Sequence, residues 1–68
     1  MKITYFEDTD TAHIEMLDRD VYETREITEN IFIDIDDKGN LINITIEHAK
    51  ANSELWEFSY KQIQKKTA

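Results

Sequence analysis

Between positions 31 and 47 the chain alternates apolar and polar residues twice, and the two runs are joined by Asp37-Lys38-Gly39-Asn40. In the first run Ile31, Ile33 and Ile35 fall on one side and Asp34 and Asp36 on the other; in the second, Ile42, Ile44 and Ile46 keep the same spacing. A period of two is that of a half-buried strand, in which successive side chains point to opposite faces. Gly39 can take the positive φ that a tight bulged hairpin needs. The pair therefore reads as an antiparallel hairpin with Ile33, Ile35, Ile42, Ile44 and Ile46 inward and Asp34, Asp36, Asn43 and Thr45 outward. A two-stranded ribbon with one bare isoleucine face is not stable alone, so the rest of the chain has to extend it and cover it.

The remaining segments supply the means. Residues 2–6 set Ile3 and Tyr5 against Lys2 and Thr4 until the polar run Glu7-Asp8-Thr9-Asp10 turns the chain. Residues 11–17 set Ala12, Ile14 and Met16 against His13 and Glu15 before Asp18-Arg19-Asp20 interrupts. Tyr22, Thr24 and Arg25 suit a strand, but Glu23 and Glu26 leave residues 21–27 with a weak apolar face, as expected of an exposed or edge strand. Short connections favour antiparallel neighbours, which predicts a meander of about five strands. After Glu47 the period changes. Asn52 or Ser53 can cap a helix over residues 52–66, with Glu54 and Glu57 in its first turns and Lys61, Lys65 and Lys66 in its last, each sign matching the helix dipole. Leu55, Phe58 and Gln62 line up beside Trp56, Tyr60 and Ile63, a broad stripe suited to the isoleucine face. The expected fold is α+β: an antiparallel sheet over residues 1–47 and one C-terminal helix packed on its apolar face, in a single domain spanning residues 1–68.

A chain of 68 residues has a thin core, since a domain near this size buries only about 60% of the surface its unfolded chain exposes. There are no cysteines, so packing or self-association must stabilise it. Charge is abundant and unequal, with 15 acids against 8 Lys and Arg and a net charge of −7. That balance disfavours direct binding of nucleic acid, which recruits cations to neutralise phosphates. Residues 1–47 hold 13 of the acids and 4 of the bases; residues 48–68 are net basic. No apolar run approaches the length of a membrane span, and the N-terminus enters a strand-like alternation instead of a signal peptide, so a cytoplasmic location is expected.

Chemistry-bearing patterns are sparse. The string Asp34-Ile35-Asp36-Asp37-Lys38-Gly39 opens like a calcium loop, but Lys38 stands where a third ligand belongs and Thr45 where a bidentate Glu should close the site. His13 and His48 are the only histidines, and nothing in their spacing makes them converge with a third ligand. Serine occurs only at Ser53 and Ser59, outside any nucleophile elbow, and one glycine cannot build a phosphate-cradling loop. No catalytic residue, metal site or cofactor is expected, and an enzyme is the minority reading. Two surfaces remain as partner-binding candidates. One is the acidic outer face of the sheet, represented by Glu15, Glu23, Asp34 and Asp36, whose field suits a basic protein. The other is the helix, where Trp56 and Tyr60 are the residue types enriched at interfaces.

The segments Met1-Lys2-Ile3-Thr4-Tyr5 and Ala12-His13-Ile14-Glu15-Met16, and above all the hairpin signature Asp36-Asp37-Lys38-Gly39-Asn40-Leu41 flanked by alternating isoleucines, resemble a family of short prokaryotic proteins catalogued as domain of unknown function 2283. The resemblance covers roughly the first fifty residues. It implies a compact α+β domain without an established activity. Members often lie near small toxin-like genes or in mobile and phage-derived regions, which implies an antitoxin-like or inhibitor role. The resulting expectation is a non-enzymatic acidic module that docks on a basic protein partner, a toxin or a nucleic-acid-handling enzyme. The alternative is a structural homo-oligomer, a homodimer for instance, with no external partner.

Overall fold

The computed structural model describes residues 1–52 and 57–65. Its strands are β1 (Lys2–Phe6), β2 (Thr11–Glu15), β3 (Glu23–Thr28), β4 (Ile31–Ile35) and β5 (Leu41–Glu47), followed by the short helix α1 (Ala49–Asn52). All five strands join one antiparallel sheet in the order β1-β2-β5-β4-β3. The α+β class and the five antiparallel strands are those read from the alternation. The order is not a simple meander: β1–β2 is one hairpin, β3-β4-β5 is a three-stranded meander, and the two units meet where β2 pairs with β5.

Because directly opposed residues share a face, the register assigns each side chain to one side of the sheet. Ile3, Ile14, Ile44, Ile33 and Arg25 form one row across all five strands, and Tyr5, Ala12, Ile46, Ile31 and Thr28 form the next. This is the isoleucine face. Near the hairpin turn Ile42 is 2% exposed and Ile35 is buried, and at the other end Ala12 is fully buried; Ile33, Ile44 and Ile46 are half-buried. A bulge lies at the hairpin end. Asp34 pairs with Asn43 but Ile35 pairs with Leu41, so Ile42 is an extra residue on β5, and its carbonyl accepts both the Met16 and the Leu17 amide at 2.8 and 3.2 Å. Gly39 takes φ 82°, as the hairpin reading requires.

The segment joining β2 to β3 has to pass the ends of β5 and β4 to reach the far edge. It is tacked down along the way. The Met16 and Leu17 amides bond the Ile42 carbonyl, Arg19 Nη1 reaches Asp36 Oδ2 at 3.2 Å, and the Tyr22 amide bonds the Ile35 carbonyl at 2.9 Å.

The helix departs from expectation in extent. The spacing predicts it over residues 52–66 with Asn52 or Ser53 as its cap; α1 instead begins at Ala49 and already includes Asn52. Residues 53–56, with Ser53 and Trp56, and residue 66 lie outside the described residues. Residues 57–65 have no regular secondary structure, and every one of them is exposed. The early start has a non-local cause. His48 turns the chain at φ 54°, and Asp10, forty residues before Lys50, presents its carboxylate to the Lys50 amide at 3.0 Å and its carbonyl to the Ala49 amide at 2.9 Å. Ala49 is fully buried there, and Lys50 Nζ lies 4.8 Å from the centroid of the Tyr5 ring, at the Tyr5 corner of the isoleucine face. Residues 57–65 lack such support, and short helical segments without tertiary packing are marginal in water.

Candidate functional site

Two carboxylates organise the polar interactions of the sheet ends, and both are structural. The alternation places Asp36 on the outer face, yet it is 5% exposed and closes the β4–β5 turn. Its Oδ1 accepts the Lys38 and Asn40 amides at 2.9 and 2.8 Å, and its Oδ2 accepts Asn40 Nδ2 at 3.0 Å and Arg19 at 3.2 Å. The Asn40 side chain, then the Asn40 amide, then Lys38 and Arg19 favour the charged form and hold its pKa at about 2. Asp36 is therefore turned inward and does not face a partner. The same bonds occupy the oxygens that a calcium loop would present to an ion. At the opposite end Asp10 stands at φ 53° and accepts the Tyr5 hydroxyl at 2.6 Å. That bond is the main reason why the Asp10 pKa is lowered and why the Tyr5 hydroxyl is pushed up to about 12.

The histidines stay apart. His13 sits within a cross-strand row between Thr4 and Thr45, whereas His48 Nδ1 pairs with Asn30 Oδ1 at 3.0 Å on the strand-to-helix corner. Among the described residues no three His, Cys, Asp or Glu side chains gather as a metal-binding group. A shallow cleft of about 350 Å³ lies beside the crossing segment, lined by Arg19, Val21, Tyr22, Asp36 and Lys38 among others. Its one deeply buried carboxylate is already satisfied by the four bonds described above.

What distinguishes the molecule is the division of charge between the two faces. On the strands, the face opposite the isoleucines carries Glu15, Glu26, Asp34 and Glu47 with Lys2 as the one full cation. Glu15 and Asp34 fall in one row with Lys2, Asn43 and Thr24, where Asp34 accepts Thr24 Oγ1 at 2.6 Å and Asn43 Nδ2 at 3.2 Å. Glu23 falls on the isoleucine face, opposite Ile35, and is paired at 2.9 Å with Arg25, its neighbour on that face. The reason is parity: Glu23 and Glu26 are three apart on one strand and cannot share a face. Tyr60 is exposed and its hydroxyl donates to Gln62 Oε1 at 3.3 Å. Of the five nominated residues among those described, the structure thus brings Glu15 and Asp34 into one row; Trp56 lies outside the described residues.

One residue on the polar face was passed over. Phe32 lies between Thr45 and Glu26 in the middle row, half-buried among polar groups. Its signal was present in the alternation, because position 32 has the parity of Asp34 and not that of the isoleucines. Phe6, half exposed, occupies the edge of the same face.

No curated protein and no solved structure matches the chain. The family described as "Protein of unknown function (DUF2283)" matches residues 2–50, from the first residue of β1 into α1, and the chain belongs to that family.

Proposed function

We propose that this chain is a non-enzymatic binding module that receives a basic protein on the polar face of its sheet, and that it acts as an antitoxin-like inhibitor of a toxin or a nucleic-acid-handling enzyme whose working surface is positive. The observation that carries the reading is the face-specific charge: Glu15, Glu26, Asp34 and Glu47 against Lys2. Among the described residues, only Asp36 and Glu23 form ion pairs with Arg or Lys, so none of these neutralises a carboxylate of the polar face. A field of one sign steers an oppositely charged partner and raises its association rate. Phe32 supplies an apolar anchor at the centre of this surface, where aromatic side chains contribute most to affinity.

The test begins with a pull-down of the tagged protein from its native lysate at low salt, followed by stopped-flow kinetics with the recovered partner. Glu15→Lys combined with Glu26→Lys should slow association about tenfold or more at low ionic strength. The difference should shrink as salt approaches 1 M, where the screening length is about 3 Å. Phe32→Ala should act on dissociation. A rate indifferent to salt and to both reversals, with binding lost in Tyr60→Ala, would transfer recognition to residues 57–65 and refute the polar face as the docking surface.

A further inference from the structure

The two edges of the sheet are not equivalent. β3 is defended: its register with β4 slips between Glu26 and Thr28, which leaves Ile27 as an unpaired bulge, and Glu23, Arg25 and Glu26 put charge along it. Bulges and charges are the devices that keep an edge strand from accepting a stranger. β1 has neither. It pairs with β2 in unbroken register over all five residues, carries the single charge of Lys2, and leaves Ile3 37% and Phe6 49% exposed.

We infer that β1 is a self-association edge, and that two copies of this chain pair antiparallel through it to make one continuous ten-stranded sheet. Centring the two-fold axis on Thr4 pairs the whole strand: Thr4 meets Thr4 of the second copy, Ile3 meets Tyr5, and Lys2 meets Phe6. Directly opposed residues share a face, so Ile3 and Tyr5 prolong the isoleucine row across the junction, while Lys2 and Phe6 stay on the polar side. The charges agree with this register. Lys2 lies opposite Phe6, the residue at which the second copy leaves its strand for the acidic Glu7-Asp8 turn, so the one strand cation of the polar face stands at the acidic end of its partner twice over. An edge left without a partner would instead expose a row of unpaired backbone groups beside two large apolar side chains. This inference goes beyond the binding of a foreign partner and needs none.

The chain has no native cysteine, which permits a clean trap. Under mild oxidation Thr4→Cys should give a disulfide-linked species of twice 8.1 kDa, since cross-strand Cβ atoms at the axis lie within disulfide reach. Arg25→Cys, on the defended edge, should stay monomeric. Without oxidant, sedimentation equilibrium should show reversible doubling of mass for the native chain. Thr4→Lys and Thr4→Glu should each be monomeric, and an equimolar mixture of the two should recover the dimer, with circular dichroism confirming that both variants are folded. The native dimer should tighten as salt is raised, because each copy has a net charge of −7; partner binding on the acidic face should weaken, so the two proposals fail separately. A native chain that stays monomeric at millimolar concentration, equal cross-linking of both cysteine variants, or a mixture no more dimeric than its components would overturn the inference.

Discussion

Asp36 and Tyr5 tie stability to pH at opposite ends of the scale. The Asp36 carboxyl titrates at about 2 in the fold against 3.8 when free, so the unfolded chain takes up a proton first as the medium is acidified. Its contribution is complete above about pH 4 and is lost as the pH falls through about 2. Acid titration of the native chain and of Asp36→Asn, followed by circular dichroism, should show a lower melting temperature for the variant at pH 7 and a gap that closes toward pH 2. Tyr5 runs the other way: its pKa is pushed up to about 12 in the fold against 10.0 when free, because the protonated hydroxyl donates a hydrogen bond to the Asp10 carboxylate. The folded state is favoured below pH 10, and this advantage disappears as the pH rises through about 12. Tyr5→Phe should flatten that alkaline limb. Neither role was legible in the sequence. Asp36 has the parity of an outward residue, and only the turn that brings Lys38, Asn40 and Arg19 around it explains its burial.

Strands were easier to read than the helix, for a reason that lies in how each is stabilised. The alternation in residues 2–6, 31–36 and 41–47 reports burial directly, and the strands there have the bounds Lys2–Phe6, Ile31–Ile35 and Leu41–Glu47, Asp36 already belonging to the turn. An apolar stripe at helical spacing reports only what a helix would bury if something held it. The support that fixes α1 comes from Asp10, a residue remote in sequence and so invisible to a window of local pattern. Within the central hairpin, Gly39→Val should cost about 1–2 kcal/mol, the penalty for holding an L-residue at positive φ. A Cβ there meets nothing within 4 Å, so Gly39→Asn should cost less, which would identify backbone strain and not crowding as the cause. Packing predicts an order as well. Ile42→Ala should cost about 3–4 kcal/mol because the side chain is almost fully enclosed, and Ile44→Ala about 2 kcal/mol because it is half-buried. Urea unfolding of the two variants checks the order, and a reversal would place the core elsewhere than the bulge.

For the whole molecule, the strand order β1-β2-β5-β4-β3 divides the sheet into two locally connected units joined along one seam. β1 with β2, and β3 with β4 and β5, pair across short turns. The seam joins Glu15 to Asn43 and Thr11 to Glu47, partners separated by most of the sheet's sequence. Local pattern could nominate every strand yet could not choose this seam, because β1, β2, β4 and β5 all present compatible apolar faces. Loop closure must be met before non-local pairing returns any free energy, so the seam is the slow step in forming the sheet. Truncations that face it, Ile14→Ala and Ile46→Ala, should lower the folding rate by most of their equilibrium effect, whereas Ile3→Ala on the outer edge should act chiefly on unfolding. Chevron kinetics on the three variants measure this. A crossing segment tacked at Ile42, Asp36 and Ile35 then acquires a kinetic meaning, as a tether that shortens the search of one hairpin for the other and whose release, by Arg19→Ala, should slow assembly even under conditions where the finished sheet is little destabilised.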